Sequence, residues 1–339
     1  MTNFSSILSS RARIGGLAAA LLLASAGLAQ AQVKLVAGAS EAEGTVISSA
    51  VTKFAELVNQ KSGGEIAITP YYQSLGVEQQ LAQAVKAGSV DIGQLSNGNA
   101  GRFTDAFLVY DLPFLFDSYP ATLGSLLSPV GQDLVTRFEA DLGVKFLFPV
   151  STGGGRDVQT RSRAIKVPAD IKGLKIRTVS TPVDIATFKA WGANPTPIDY
   201  SQTFASLQQG LVEGTQFAFS ALPDIGYDEV LKYDLRIEYQ GLFNTLYMNR
   251  AKYDALTDKQ KQIVQEAANE AREWQWAFAA QKKDEAQKKL LDKGWQVYEP
   301  TAEERALWTA PREAIWKEVA AQLAGKIDLD LANRLTGSK

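Results

Sequence analysis

The feature that most constrains the fold is an alternation of short apolar segments with amphipathic helical segments in residues 33–96. The three strand candidates are VKLVAGAS (33–40), EIAITPYY (65–72) and DIGQLS (91–96). Between the first two, apolar residues recur at the spacing of one helix face, and Gly63 and Gly64 end that segment. Because strands joined through helices pair in parallel, this order predicts a parallel sheet with helices on its faces.

A second set of alternating segments follows residue 170. Its strand candidates are KIRTV (175–179), NPTPID (194–199) and GTQFAFS (214–220), and its helix candidates are PVDIATFKAWG (182–192) and SQTFASLQQGLV (201–212). The strand-like segment 233–249 would carry the chain back to the first set. From Asp258 to about Lys293 there is no glycine or proline, which predicts a helix of roughly 50 Å. Single helices are also predicted near 122–140 and near 302–324.

These segments predict an α/β fold of two lobes. Each lobe is expected to be a mixed, mostly parallel sheet flanked by helices, and the long helix is expected to span both lobes. We assign residues 32–153 and 243–283 to lobe I, and residues 154–242 and 284–339 to lobe II.

The first 31 residues have the pattern of a secretory signal peptide. Arg11 and Arg13 form a positive segment, Gly15 to Leu28 is apolar, and Ala29-Gln30-Ala31 is a small-x-small cleavage site. The apolar segment is too short to span a bilayer. We therefore expect cleavage after about Ala31 and an exported protein that is not embedded in the membrane.

Composition excludes several classes of chemistry. The 339 residues include no cysteine and no histidine, so thiol nucleophiles, disulfides, cysteine zinc sites and histidine general bases are absent. The formal net charge of −2 gives no overall attraction to nucleic acid. No metal or cofactor site is predicted.

Three blocks of the sequence resemble one family. They are FAELVNQKSGGEIAITPYYQSLGVEQQLAQAVKAGSVDIGQLS, VPADIKGLKIRTVSTPVDIATFKAWGANPTPIDYSQTFASLQQGLVEGTQ and YMNRAKYDALTDKQKQIVQEAANEA. They look like the solute-binding subunit of tripartite ATP-independent periplasmic (TRAP) transporters. The resemblance implies a monomeric, non-enzymatic periplasmic binding protein of two lobes, which closes on an organic acid and delivers it to membrane permease subunits.

Two arginines are implied as ligand contacts. In the family, the arginine of the GLKIR segment pairs with the substrate carboxylate, and this role falls on Arg177. Strand alternation alone places Lys175 and Arg177 on one face and favours solvent for both; Lys175 is expected to stay solvated. Arg156, which follows three glycines, is the second implied contact, with Arg161 and Arg163 as competing candidates.

Three further residues of lobe II define the ligand type. The family often has an aromatic residue packed on the ligand where this chain has Tyr200. Sugar acid-binding members have an asparagine where this chain has Phe217, which favours a small or partly apolar acid, aromatic acids included. The alternative, left open by the sequence, is that Phe217 joins the core and Gln216 makes the polar contact.

The first lobe contributes polar candidates at the ends of two strands. Ser40 and Glu41 follow the first strand, and Ser96 and Asn97 follow the third. Open α/β sheets bind ligands at the carboxyl ends of their strands, so these four side chains are plausible contacts.

Two alternatives to transport stay open. A sensor protein that presents its ligand to a membrane receptor would have the same fold and site, and neighbouring permease genes would distinguish the two. A secreted hydrolase is the third class, but the sequence contains no nucleophile elbow and no evident pair of catalytic carboxylates.

Overall fold

The computed structural model describes residues 32–337, so the predicted signal peptide lies outside the described residues. The strands are β1 Val33–Ala39, β2 Ile66–Tyr72, β3 Ile92–Ser96, β4 Val144–Ser151, β5 Arg156–Thr160, β6 Lys175–Thr178, β7 Asn194–Pro197, β8 Gly214–Thr215, β9 Tyr233–Gln240, β10 Phe243–Asn249 and β11 Gln296–Tyr298.

The helices alternate with these strands. They are α1 Ser49–Lys61, α2 Glu78–Ala87, α3 Asn97–Ala100, α4 Tyr119–Ser125, α5 Pro129–Leu142, α6 Pro168–Ile171, α7 Pro182–Ala190, α8 Tyr200–Gln208, α9 Arg250–Asp254, α10 Asp258–Asp292, α11 Ala302–Thr309, α12 Arg312–Gln322 and α13 Leu329–Thr336. Short 3-10 helices lie at Leu108–Asp111, Phe219–Ala221 and Tyr227–Glu229.

The strands form two sheets, each with a single strand that runs against the others. The first sheet has the order β2-β1-β3-β10-β4, and only β10 is antiparallel to its neighbours. The second has the order β11-β9-β5-β8-β6-β7, and only β5 is antiparallel. The predicted fold of two mixed, mostly parallel sheets is confirmed.

The two antiparallel strands explain how the sheets are oriented. The chain leaves the first sheet at the carboxyl end of β4 and enters the second as β5; it leaves the second at the carboxyl end of β9 and returns as β10. In each case it enters the new sheet from the edge where the parallel strands end. The carboxyl edges of the two sheets therefore face each other, which is where such sheets bind ligands.

The crossing segments are held together by specific hydrogen bonds. The hydroxyl of Tyr119 donates to the carbonyl of Leu242 (2.8 Å) in one crossing and accepts from the amide of Thr152 (2.8 Å) in the other. Gly153 has a φ of +81°, and a Cβ atom there would lie 2.6 Å from the Ser220 hydroxyl oxygen. The backbone at this crossing therefore requires glycine.

The long helix α10 contacts the cores of both sheets. Val264, Ala267 and Ala271 belong to the apolar cluster on one face of the first sheet, whereas Leu290 belongs to a cluster beside the second sheet. The predicted helix spanning both lobes is confirmed. The C-terminal helices α12 and α13 also join a first-sheet cluster, through Ile315 and Leu335, although residues 284–339 were assigned to lobe II.

The structure differs from the predicted segments at three places. A single helix predicted near 122–140 is two helices, because Ser128 caps a new helix that begins at Pro129 (Gly131 N to Ser128 Oγ, 3.1 Å). The helix predicted near 302–324 is likewise broken, at Pro311. Only Gly214–Thr215 of the predicted strand 214–220 pairs regularly, because the backbone N–H of Phe217 donates to the side-chain oxygen of Gln159 (2.9 Å) and not to the backbone of a neighbouring strand.

Within residues 32–337, none of the helices combines the length and the apolar character needed to cross a bilayer.

Candidate ligand-binding site

The predicted contact residues lie on the two facing edges. On the second sheet, Arg177 is near the end of β6, Tyr200 opens the helix that follows β7, and Gln216 and Phe217 follow β8. Arg156 joins them because antiparallel β5 begins at this edge. On the first sheet, Ser40 and Glu41 follow β1, while Ser96 and Asn97 lie where β3 gives way to α3.

Arg177 is a buried cation without an acidic partner. Its side chain is 2% exposed, and its Nε donates to the carbonyl of Ile198 (2.9 Å). Among residues 32–337, its terminal nitrogens have no hydrogen-bond acceptor and its guanidinium forms no ion pair. Burial, and secondly the charge of Arg156, lower the pKa of Arg177 to about 10, so that it stays protonated at neutral pH.

Aromatic rings surround the Arg177 guanidinium. Its carbon lies 5.6 Å from the centre of the Phe217 ring, within the range of a cation–π contact. Phe217 in turn packs against Tyr200 (6.0 Å between centroids) and Tyr227 (5.0 Å). Phe217 is half-buried, so its ring is neither fully in the core nor free in solvent.

The environment of Arg156 differs from that of Arg177, because a carboxylate and an amide of the protein bind its guanidinium. Its Nη1 lies 3.3 Å from a carboxylate oxygen of Asp184 and also donates to the Gln216 amide oxygen. Gln216 completes the triangle by donating to Asp184 (3.1 Å), and the Tyr239 hydroxyl donates to the other oxygen of Asp184 (3.2 Å). Gln216 is completely buried, so its amide holds Arg156 in position.

Arg156 also reaches the opposite edge. A Cβ atom built on Gly98, in α3 beside the first sheet, would lie 3.7 Å from Nη2 of Arg156. The Nε of Arg156 is buried and has no acceptor within the described residues. This arginine therefore lies where the two edges approach each other.

Tyr200 lies on the surface that faces the first sheet. It is 58% exposed, yet loss of solvation, followed by the neighbouring Tyr227 and Glu41, raises the pKa of Tyr200 to about 12. The charge of Glu41 thus acts on a side chain of the opposite edge.

On the first sheet, Ser96 and Asn97 serve the local structure. The amide nitrogen of Asn97 donates to Asp111 (2.9 Å) and to the Gly241 carbonyl (3.2 Å), and its oxygen accepts from the backbone of Phe243 (3.1 Å). The Ser96 hydroxyl donates to Glu78 (2.7 Å). Asn97 therefore anchors a crossing segment.

Glu41 has a partly unsatisfied carboxyl group. Its Oε1 accepts from the Ser40 hydroxyl (3.1 Å), whereas its Oε2 is closed off from solvent and has no partner among residues 32–337. Burial, and secondly the charge of Glu78, raise the pKa of Glu41 to about 7.

The competing basic residues lie elsewhere. Lys175 is exposed at the start of β6, as expected for a solvated residue. Arg161 and Arg163 follow the other end of β5, on the side of the second sheet away from Arg177.

The sequence did not indicate Asp184, Glu78 or Tyr227, because their roles depend on contacts between distant segments.

One surface groove is separate from these residues. It has a volume of about 650 Å³ and lies beside Phe114, Phe116, Arg305 and Arg312. None of the predicted contact residues lines it.

Comparison with known families decides what kind of protein has this geometry. Residues 37–323 match the family described as bacterial extracellular solute-binding protein, family 7. The chain belongs to this family. This match, together with the solved structures of TRAP periplasmic solute-binding proteins that share the fold, confirms the resemblance to TRAP binding subunits.

Individual relatives agree with this assignment. A 2,3-diketo-L-gulonate-binding periplasmic protein of Escherichia coli is 30% identical over 72% of this family 7 chain and 73% of its own. A TRAP binding protein from Ochrobactrum anthropi, with a C-terminus in its ligand pocket, has a TM-score of 0.82 at 28% identity (90% and 93% coverage). One from Shewanella oneidensis with bound succinate has a TM-score of 0.81 at 25% identity (91% and 99% coverage).

Proposed function

We propose that this protein captures an organic acid in the periplasm and delivers it to the permease of a TRAP-type secondary transporter. The observation that carries the proposal is Arg177, a buried guanidinium with two terminal nitrogens and no acidic partner in the described chain. A buried charge is stable only when it is paired. A ligand carboxylate supplies the missing charge and matches the two parallel donors.

The mechanism is closure of two lobes around the ligand. We assign the lobes to 32–153 with 243–283 and to 154–242 with 284–339, connected at the crossings beside Gly153 and Gly241. The ligand carboxylate binds Arg177, with Arg156 beside it at the approach of the two edges. Contacts to both lobes form only in the closed state, so binding shifts the open–closed equilibrium.

The ligand is a small or partly apolar acid. Phe217, Tyr200 and Tyr227 form the aromatic surface next to Arg177, and a ring or an alkyl chain packs on such a surface. A polyhydroxylated sugar acid would leave hydroxyl groups unpaired there. The E. coli relative is named for the acid that it binds, and the Shewanella relative has succinate bound. Both support a carboxylate group on the ligand, but they do not indicate what the rest of the ligand is.

A thermal-shift screen tests this function. The mature protein is mixed with succinate, pantoate, glucuronate, pentanoate and 3-phenylpropanoate, and apolar acids are expected to raise its melting temperature most. A ligand at a hundred times its Kd stabilises by about 2.7 kcal/mol. In Arg177→Ala the ligand-induced shift is expected to disappear, because losing a buried charge partner weakens binding by about 30-fold or more.

Two variants control this experiment. Lys175→Ala removes a charge two residues away on the same strand and is expected to bind normally, since Lys175 is exposed. Arg177→Lys keeps the charge but loses the planar pair of donors, and we expect intermediate affinity. If Arg177→Ala binds a hit as tightly as the wild-type protein, the carboxylate site is wrong. Uptake of the labelled hit by cells carrying each variant tests delivery.

A further inference from the structure

The carboxyl edge of the first sheet, which faces the edge that contains Arg177, also contains the carboxyl group of Glu41. Glu41 follows β1, and one of its oxygens accepts only from the adjacent Ser40. The other oxygen is enclosed and has no donor among residues 32–337. An enclosed carboxyl oxygen without a donor is unfavourable, so it needs a hydrogen-bond donor from elsewhere.

The residues around Glu41 indicate that such a donor would carry a positive charge. Glu78 lies close enough to act on Glu41, and its own carboxylate accepts from Ser96 (2.7 Å) and Asn99 (2.7 Å). Tyr200 faces the pair from the second sheet. The described part of the chain forms no ion pair with Glu41 or Glu78. This edge is therefore acidic, whereas the edge with Arg177 is basic.

Aromatic side chains connect Arg177 with the neighbourhood of Glu41. The guanidinium carbon of Arg177 lies 5.6 Å from the centre of the Phe217 ring, which lies 6.0 Å from the centre of the Tyr200 ring. The charge of Glu41 in turn acts on Tyr200. A basic end, an apolar middle and an acidic end are thus arranged in order. An anionic group at the acidic end would be repelled by two carboxylates, so a dicarboxylate fits this polarity poorly.

We propose that the ligand is an aminocarboxylate, whose carboxylate binds Arg177 and whose ammonium group donates to Glu41. This inference rests on the proposed function, because it assumes the carboxylate site. The ammonium supplies both the hydrogen-bond donor and the positive charge that Glu41 and Glu78 lack. The alkyl or aryl part of the ligand packs on Phe217 and Tyr200.

Matched pairs of ligands test the proposal. The wild-type protein is titrated with pentanoate against 5-aminopentanoate, butanoate against 4-aminobutanoate, and 3-phenylpropanoate against phenylalanine. In at least one pair the amino member is expected to bind about 30-fold more tightly. In Glu41→Gln this preference is expected to fall below about threefold, because the neutral amide carries no charge to pair with the ammonium group. Glu43→Gln, an exposed neighbour on the same loop, is the control and is expected to keep the preference.

The pH dependence gives an independent readout. The Glu41 carboxyl, with a pKa of about 7 in the ligand-free protein, must ionise to receive the ammonium group. The affinity for the amino member is therefore expected to rise about tenfold between pH 6 and pH 8 and then level off, with proton release below pH 7. Tyr200 and Arg177 titrate above this range. The rise is expected to vanish in Glu41→Gln.

Several results would overturn the inference. One is that every deaminated acid binds as tightly as its amino partner, or that Glu41→Gln leaves the preference unchanged. Another is that affinity falls with rising pH, which would mean that a protonated Glu41 donates to the ligand. A third is that binding needs added Ca²⁺ and is lost in EDTA, which would place a bridging cation at Glu41. If only the deaminated acids bind, and bind through Arg177, the proposed function holds and the inference fails. If neither the amino nor the deaminated acids bind, both the proposed function and the inference fail.

Discussion

At the scale of single residues, the site contrasts two buried arginines. Arg156 is compensated within the protein by Asp184 and Gln216, whereas Arg177 has no acidic partner in residues 32–337. Arg156 is thus compensated by the folded structure itself, whereas in the proposed site the charge of Arg177 is compensated by the ligand. The two arginines are therefore expected to respond in opposite ways to the same substitution.

Replacing each arginine by methionine tests this contrast without any ligand. Arg156→Met leaves Asp184 buried without its cation and is expected to lower the free energy of unfolding by about 3 kcal/mol. Arg177→Met removes an unpaired charge and is expected to leave stability unchanged or raise it by about 1 kcal/mol. Urea denaturation monitored by circular dichroism measures both. Equal destabilisation by the two variants would contradict the contrast, and Asp184→Asn is expected to rescue much of the Arg156→Met loss.

The sequence predicted some of this residue-level arrangement. Strand alternation did not distinguish Arg177 from Lys175, whereas the resemblance to the family selected Arg177, and the structure buries Arg177 and exposes Lys175. Neither signal indicates Asp184, which meets Arg156 only when segments 28 residues apart fold together. The partner-free oxygen of Glu41 was also unpredictable, because it depends on what surrounds the loop after folding.

At the scale of elements, α10 connects the crossing segments to the first sheet. The side chain of Gln275 is completely buried in this helix. Its oxygen accepts from the amide of Ser151 (2.8 Å), and its nitrogen donates to the carbonyls of Ser151 (2.9 Å) and Val46 (3.0 Å). One helix residue therefore fixes the last residue of β4, immediately before the chain crosses to the second sheet.

Gln275→Leu is expected to destabilise the protein through this connection. The substitution removes the side-chain partner of the buried N–H and carbonyl of Ser151 and one of the two donors to the carbonyl of Val46. We therefore expect a loss of about 3 kcal/mol in the free energy of unfolding. Gln281→Leu, on an exposed position of the same helix, is expected to change stability by less than about 0.5 kcal/mol. Chemical denaturation measures both, and similar effects of the two substitutions would show that Gln275 does not fix the crossing.

Prediction of the elements succeeded where periodicity was strong. The strands at 33–39, 66–72 and 92–96 and the helix Asp258–Asp292 follow the predicted segments closely. The prediction was wrong where side chains compete with the backbone for hydrogen bonds. The side chain of Gln159 accepts from the N–H of Phe217 and ends β8 early, and Ser128 caps a new helix that begins at Pro129. Strand β5 was not predicted, because its pattern is dominated by polar residues, all of which are buried in the folded protein.

At the scale of the whole molecule, the two crossings are the segments about which the proposed closure would occur. The described chain passes between the sheets at residues 152–155 and 241–242, and Tyr119 contacts both crossings. Rotation about these adjacent segments would bring the facing edges together while each sheet stays intact. Long α10, which packs on the cores of both sheets, limits the direction of that rotation.

Closure is measurable because the sequence has no cysteine. Val77, which is 55% exposed before α2, and Ser180, which is exposed after β6, lie on opposite rims. In the double variant Val77→Cys/Ser180→Cys, labelled with a donor and an acceptor dye, a ligand from the screen is expected to increase energy transfer. Adding Arg177→Ala is expected to abolish the increase at the same ligand concentration. Unchanged transfer at saturation would contradict closure between these rims.

The unpaired guanidinium of Arg177 has a consequence for the medium in which the protein works. A cation of this kind attracts whatever small anion is abundant, and chloride outnumbers any nutrient acid in most waters. Capture of the proposed acid would then exchange one anion for another, and its net driving force would depend on the salinity of the surroundings. The same protein would retain its solute more firmly in fresh water than in brine.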